Sequence, residues 1–75
     1  PMQEKENPLI LPYKMASVIF SNQHYETGIF RRNCLPPGTN VDGPAIIEEL
    51  SSTTVLPPGY SMHVDGYENM VIHKV

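Results

Sequence analysis

Ser61-Met62-His63-Val64-Asp65-Gly66-Tyr67-Glu68-Asn69-Met70-Val71-Ile72 reads as a β-hairpin. Met62 and Val64 alternate with Ser61, His63 and Asp65, the period-two signature of a strand with one buried face. If the turn centres on Tyr67, Val64 lies opposite Met70 and Met62 opposite Ile72. All four apolar side chains then share one face. A slip of one residue would scatter them over both faces, so the register is self-consistent.

Working outward, the rest of the chain is cut by eight Pro and five Gly into pieces too short for helices. The one helical candidate, Ile46–Ser52, is bounded too closely by prolines. Ala16–Phe20 is rich in β-branched and aromatic residues and reads as a strand ended by Ser21-Asn22. Thr27–Phe30, Ala45–Glu49 and Thr53–Leu56 read as further strands. Leu35-Pro36-Pro37-Gly38, Asp42-Gly43-Pro44 and Leu56-Pro57-Pro58-Gly59 read as turns. The expectation is all-β: a small barrel or sandwich of about five or six short strands with Pro-Gly corners.

The sequence also contains an internal echo. Leu35-Pro36-Pro37-Gly38 is followed by Val41-Asp42-Gly43, and Leu56-Pro57-Pro58-Gly59 by Val64-Asp65-Gly66, with spacings that differ by two residues. Two similar units packed about a pseudo-two-fold would give this pattern. So would the recurrence of Pro-Gly corners in any small β fold, and the pattern alone does not choose.

Seventy-five residues make one small domain. A chain this short buries only about 60% of its unfolded surface, so its stability gains from a staple or a partner. No internal staple is available, since Cys34 is the only cysteine; it reads as an inert core or boundary residue rather than a reactive thiol. Five Lys plus Arg against eight Asp plus Glu give a net charge of -3, which argues against a nucleic-acid surface. No apolar run approaches the ~20 residues of a membrane span and no signal-peptide core is present, so the expected location is cytoplasmic. Residues 1–14 read as a linker or docking segment, with Leu9–Leu11 as its apolar patch, and residues 15–75 as the β domain. A start at Pro1 without Met reads as a piece of something longer.

No catalytic, cofactor-binding or metal-ligating set assembles from these residues. Glu48 and Glu49, adjacent on a strand, point to opposite faces and so do not flank one bond as acid and base. In the hairpin register His63 faces Val71 and lies diagonally from His73, with no third ligand in view, so both read as surface histidines, as does His24. Ser51-Ser52-Thr53-Thr54 has no glycine-rich loop around it and reads as an edge or surface strand. Neither a Walker-type phosphate loop nor a dinucleotide fingerprint is present. Lys14, in Tyr13-Lys14-Met15, precedes the first confident strand, whereas the lysine of a biotin carrier projects from a hairpin turn; it reads as a surface lysine. Arg31-Arg32 reads either as exposed charge or as a partner for a carboxylate of another domain.

Val41-Asp42-Gly43-Pro44-Ala45-Ile46-Ile47-Glu48-Glu49, followed by Ser52-Thr53-Thr54-Val55-Leu56-Pro57-Pro58-Gly59-Tyr60, closely resembles the C-terminal end of the hydantoinase A and 5-oxoprolinase family. Thr27-Gly28-Ile29-Phe30-Arg31-Arg32-Asn33-Cys34-Leu35 is similar to an upstream segment of the same family. The resemblance runs from about Ala16 to Ile72 and marks family membership rather than a catalytic site. The sequence departs from the pattern at Gly28, where Pro is usual, at Glu68, where a Gly precedes the Asn, and at Met70, where Leu is usual. Gly66, two positions earlier than the family glycine, is expected to supply the positive-φ residue of the turn.

The resemblance implies a parent of several hundred residues that uses ATP and a divalent metal to open a cyclic amide such as a hydantoin or 5-oxoproline, or to carboxylate a ketone. This chain would be its C-terminal structural or interaction domain, inactive alone. Its partners would be the upstream ATPase-like region and a hydantoinase B-like subunit, with no nucleic acid and no membrane. Arg32 and Glu48 are the residues expected at the contact between domains. Two rival readings are a carrier or small-ligand-binding β-barrel module, and a free-standing small dimeric β protein that buries a sheet edge.

Overall fold

A computed structural model describes residues 10–75, and over that range the chain is all-β. Seven strands form: β1 (Lys14–Phe20), β2 (Gln23–Arg31), β3 (Asn40–Asp42), β4 (Ala45–Glu48), β5 (Thr53–Leu56), β6 (Tyr60–Val64) and β7 (Met70–Lys74). The only helical piece among the described residues is a single 3-10 turn at Arg32–Cys34. The strands make a four-stranded sheet in the order β1-β2-β4-β5 and a three-stranded sheet in the order β3-β6-β7.

The core lies between the sheets. Ala45, Ile47 and Leu56 face it from β4 and β5, Val41, Met62 and Val64 from β3 and β6, and Leu35 closes it from the connecting segment. Ile10, Phe30, Tyr60 and Met70 pack around this cluster half-buried. Removing Ile47, Leu56 or Met62 from water completely contributes about 1.5–3 kcal/mol each, before conformational entropy is charged against it.

The last hairpin has the register read from its alternation, Val64 opposite Met70 and Met62 opposite Ile72. Met62 and Val64 are buried and Met70 half-buried, but Ile72 stays exposed because β7 is an edge strand. The turn differs from expectation. Glu68, not Gly66, takes the left-handed conformation, with φ of +66°. Glu68 N–H donates to the Asp65 carbonyl at 3.0 Å, and Asp65 N–H to the Asn69 carbonyl at 3.0 Å. A type I turn followed by one left-handed residue is the usual geometry of such a three-residue loop, and the left-handed place is Glu68's.

The echo of Leu-Pro-Pro-Gly corners is a real local two-fold. β3 and β6 pair antiparallel with Val41 opposite Met62, and each of these stands six residues after its corner leucine, Leu35 or Leu56. Thr39 N–H donates to the Pro36 carbonyl (3.1 Å) as Tyr60 N–H does to that of Pro57 (3.2 Å). Val64 N–H donates to the Thr39 carbonyl (3.0 Å) as Gly43 N–H does to that of Tyr60 (2.8 Å). In both corners the glycine has a positive φ, +92° at Gly38 and +88° at Gly59, as a type II turn requires at its third position. The two Val-Asp-Gly stretches are not mates. The first ends β3 before the cis peptide Gly43-Pro44, and the second opens the last turn.

Two features were not expected. Val41 lies in a short strand rather than between two turns, because β6 offers it an open edge. The second is that β2 and β4 pair in parallel, Gly28 with Ala45 through Arg31 with Glu48. Ile10, Pro12 and Tyr13 also lie against the domain: Ile10 on the core, Pro12 beside Gly28, and Tyr13 N–H on the Ile29 carbonyl at 2.9 Å. Of the apolar patch Leu9–Leu11, Leu9 is outside the described residues and Leu11 is exposed.

Candidate functional site

Parallel pairing puts the carboxyl ends of β2 and β4 side by side. An open groove of about 780 Å³ lies there. Arg31, Arg32 and Asn33 form one wall, Glu48, Glu49 and Leu50 the other, and Glu68 comes in from the last hairpin. Arg32 and Glu48, distant in sequence, thus line one groove. The β4–β5 loop carries Leu50 fully exposed beside it.

Each wall is held by side chains. Tyr13 Oη donates to Glu48 Oε1 at 2.5 Å, and the Arg31 guanidinium carbon stands 4.4 Å from the centre of the Tyr13 ring. Donation to Glu48 raises the Tyr13 phenol above its ordinary value; desolvation and the Glu48 charge act the same way, and Arg31 opposes them. Arg32 donates Nη1 to the Leu35 carbonyl at 3.2 Å and Nη2 to the Glu68 carbonyl. Its guanidinium ties the 3-10 turn to the last hairpin, so much of its donor capacity is spent inside the domain. Glu49 and Leu50 remain turned outward.

Arg32 and Glu48 were chosen from sequence as contact residues; Tyr13 was not, because it falls in the segment read as a linker. Its signal was only an aromatic residue shortly before the first strand.

The remaining candidates do not assemble. His63 and His73 lie on the outer face of the three-stranded sheet with ring centres 6.3 Å apart, and no group of three or more His, Cys, Asp or Glu among the described residues is placed to hold a metal ion. Ser61, next to His73 across the strands, spends its hydroxyl on Asp42 (2.9 Å), so the row Asp42–Ser61–His73 has the order of no nucleophilic triad. Thr53 begins β5, the edge of the larger sheet, as expected of the hydroxyl run. Cys34 corrects the expectation of a core or boundary place. It is exposed at the end of the 3-10 turn, its Sγ directed to Asn33 Oδ1, while the neighbouring Leu35 takes the buried position. Three carboxylates line the groove, and one of its two arginines is tied to carbonyls.

The fold and site define a small two-sheet β module with a polar groove. The chain belongs to the hydantoinase/oxoprolinase C-terminal domain family, which it matches over residues 13–75. It is 45% identical over 63 residues to an uncharacterized protein of Methanocaldococcus jannaschii, MJ0964; the match covers 84% of this chain and 9% of that protein. It is also similar, with a TM-score of 0.84 and 24% identity, to acetone carboxylase solved nucleotide-free in work on ATP-dependent acetone carboxylation. That match covers 100% of this chain and 11% of the other. The chain therefore spans about a tenth of the length of these relatives. No helix among the described residues is long and apolar enough to cross a membrane.

Proposed function

We propose that this chain is the C-terminal interaction domain of a cytoplasmic, ATP-dependent enzyme of the hydantoinase A type, inactive alone. The parent opens a cyclic amide such as a hydantoin or 5-oxoproline with ATP and a divalent metal held by its upstream ATPase-like region, alongside a hydantoinase B-like subunit. The domain docks on that region through the groove at the ends of β2 and β4. Arg32 and Glu48 shape the groove and Leu50 is its apolar anchor. A single exposed apolar side chain beside a polar groove is the arrangement of an interface anchor and its rim.

The observation that carries this reading is the family match over residues 13–75 in a chain spanning about a tenth of its relatives. The test is to delete residues 16–75 from the parent, and separately to make Leu50→Asp, then measure ATP-dependent turnover and subunit assembly. Loss of assembly or activity in both is expected. Unchanged turnover, solubility and assembly after the deletion would sink the proposal.

A further inference from the structure

We infer that β1 is a dimerisation edge, pairing antiparallel with β1 of a second copy about a two-fold through Ser17. This goes beyond the family reading and does not depend on it. β1 is the seven-residue edge of the larger sheet, Lys-Met-Ala-Ser-Val-Ile-Phe, without proline and with one charge, at its end. The other edge strands are shorter, β3 with three residues, β5 with four and β7 with five, and Pro57 follows β5 directly. A long edge that lacks proline and internal charge is unprotected against pairing with another chain.

The turn geometry says which backbone groups of β1 point away from β2. Ser21-Asn22 is a two-residue turn with φ of 51° and 68°, and Phe20 opposite Gln23 closes it. The closing pair of such a hairpin is hydrogen-bonded, so Phe20, Val18 and Ala16 direct their amides at β2. Met15, Ser17 and Ile19 direct theirs outward. A two-fold at Ser17 pairs Ser17 with its own copy and Met15 with Ile19 of the other, which uses all three outward residues of each strand.

The side chains fit the same axis. Met15 and Ile19, 53% and 60% exposed, meet across it on one face. On the other face Ala16 meets Val18 and Lys14 meets Phe20, an aliphatic pair and a cation–aromatic pair. No like charges oppose each other. Self-complementarity of this kind is what an isologous interface demands, and it selects a second copy over an unrelated strand.

The contact is a single strand pair, so the dimer is expected to be weak and concentration-dependent, forming over roughly 10 µM to 1 mM. The test is sedimentation equilibrium on the 75-residue chain, with Ser17→Lys and Ser17→Pro, while far-UV circular dichroism reports folding. Ser17→Lys sets like charges on the axis yet places a lysine across from Glu26 in the monomer, so it keeps the fold and weakens association at least about tenfold. Ser17→Pro removes an outward N–H at no cost to the β1–β2 ladder and also yields monomer. A wild-type chain that is monomeric throughout that range, or a dimer that survives Ser17→Lys, overturns the inference. If Ser17→Pro fails to fold, Ser17→Lys decides alone.

Discussion

Gly43 lies so close to the carbonyl of Pro57 that a Cβ built on it would stand 2.0 Å from that oxygen. The contact is where β3 gives way to β4 beside the second Leu-Pro-Pro-Gly corner, and its partner is backbone, which cannot turn aside. Gly43→Ala is therefore expected to destabilise the chain by about 3 kcal/mol or more, enough to unfold so small a domain. Gly66→Ala meets nothing within 4 Å and should be neutral or stabilising by about 0.4–1 kcal/mol. Urea denaturation of both variants checks the pair; equal midpoints would refute the contact.

Glu68 occupies a left-handed position, with φ of +66°, that glycine adopts without strain. Its side chain is exposed, so little is lost with it. Glu68→Gly should stabilise by about 0.5–1 kcal/mol, since the conformational penalty of a side chain at positive φ exceeds the entropy cost of glycine. A lower denaturation midpoint for Glu68→Gly would show that the Glu68 side chain itself holds the turn.

Asp65 accepts from the backbone N–H groups of Asn69 and Tyr67, both at 2.9 Å. These bonds, that of Asn69 first, hold its carboxyl below the usual carboxylate range. A lowered folded-state value means the contribution is present above the ordinary value of 3.8 and is lost as pH falls through the lower one. Asp65→Ala should lower the melting temperature at pH 7 and flatten the acid limb between the two values. A wild-type-like acid limb in the variant would refute the assignment.

Tyr13 behaves with the opposite sign. Its phenol is raised because it donates to Glu48, so the contribution is present below the ordinary value of 10.0 and lost as pH rises through the higher folded value. Tyr13→Phe should remove that alkaline loss, and Glu48→Gln should bring the phenol back toward its ordinary range. Absorbance titration of tyrosinate in wild type and both variants reads this directly; an unshifted titration in Glu48→Gln would rule the bond out.

The sequence by itself determined the all-β class, most strand positions, the register of the last hairpin and the family. Each rests on near neighbours: alternation along one strand, two strands joined by a short turn, prolines and glycines that act where they stand. Tertiary structure decided the rest. The parallel pairing of β2 with β4 joins segments from opposite sides of β3, and no local pattern announces a non-local ladder. That pairing brings Arg32 and Glu48 to one groove, and it lets Tyr13 reach Glu48 from a segment that reads as linker. The short strand β3 exists only because β6 pairs with it. The echoed corners left symmetry and coincidence equally open until the Val41–Met62 pair placed the axis between them. Glu68 shows the limit most plainly. Composition points to glycine as the residue of positive φ, but the hydrogen bonds of the closed turn choose the position, and a glutamate holds it.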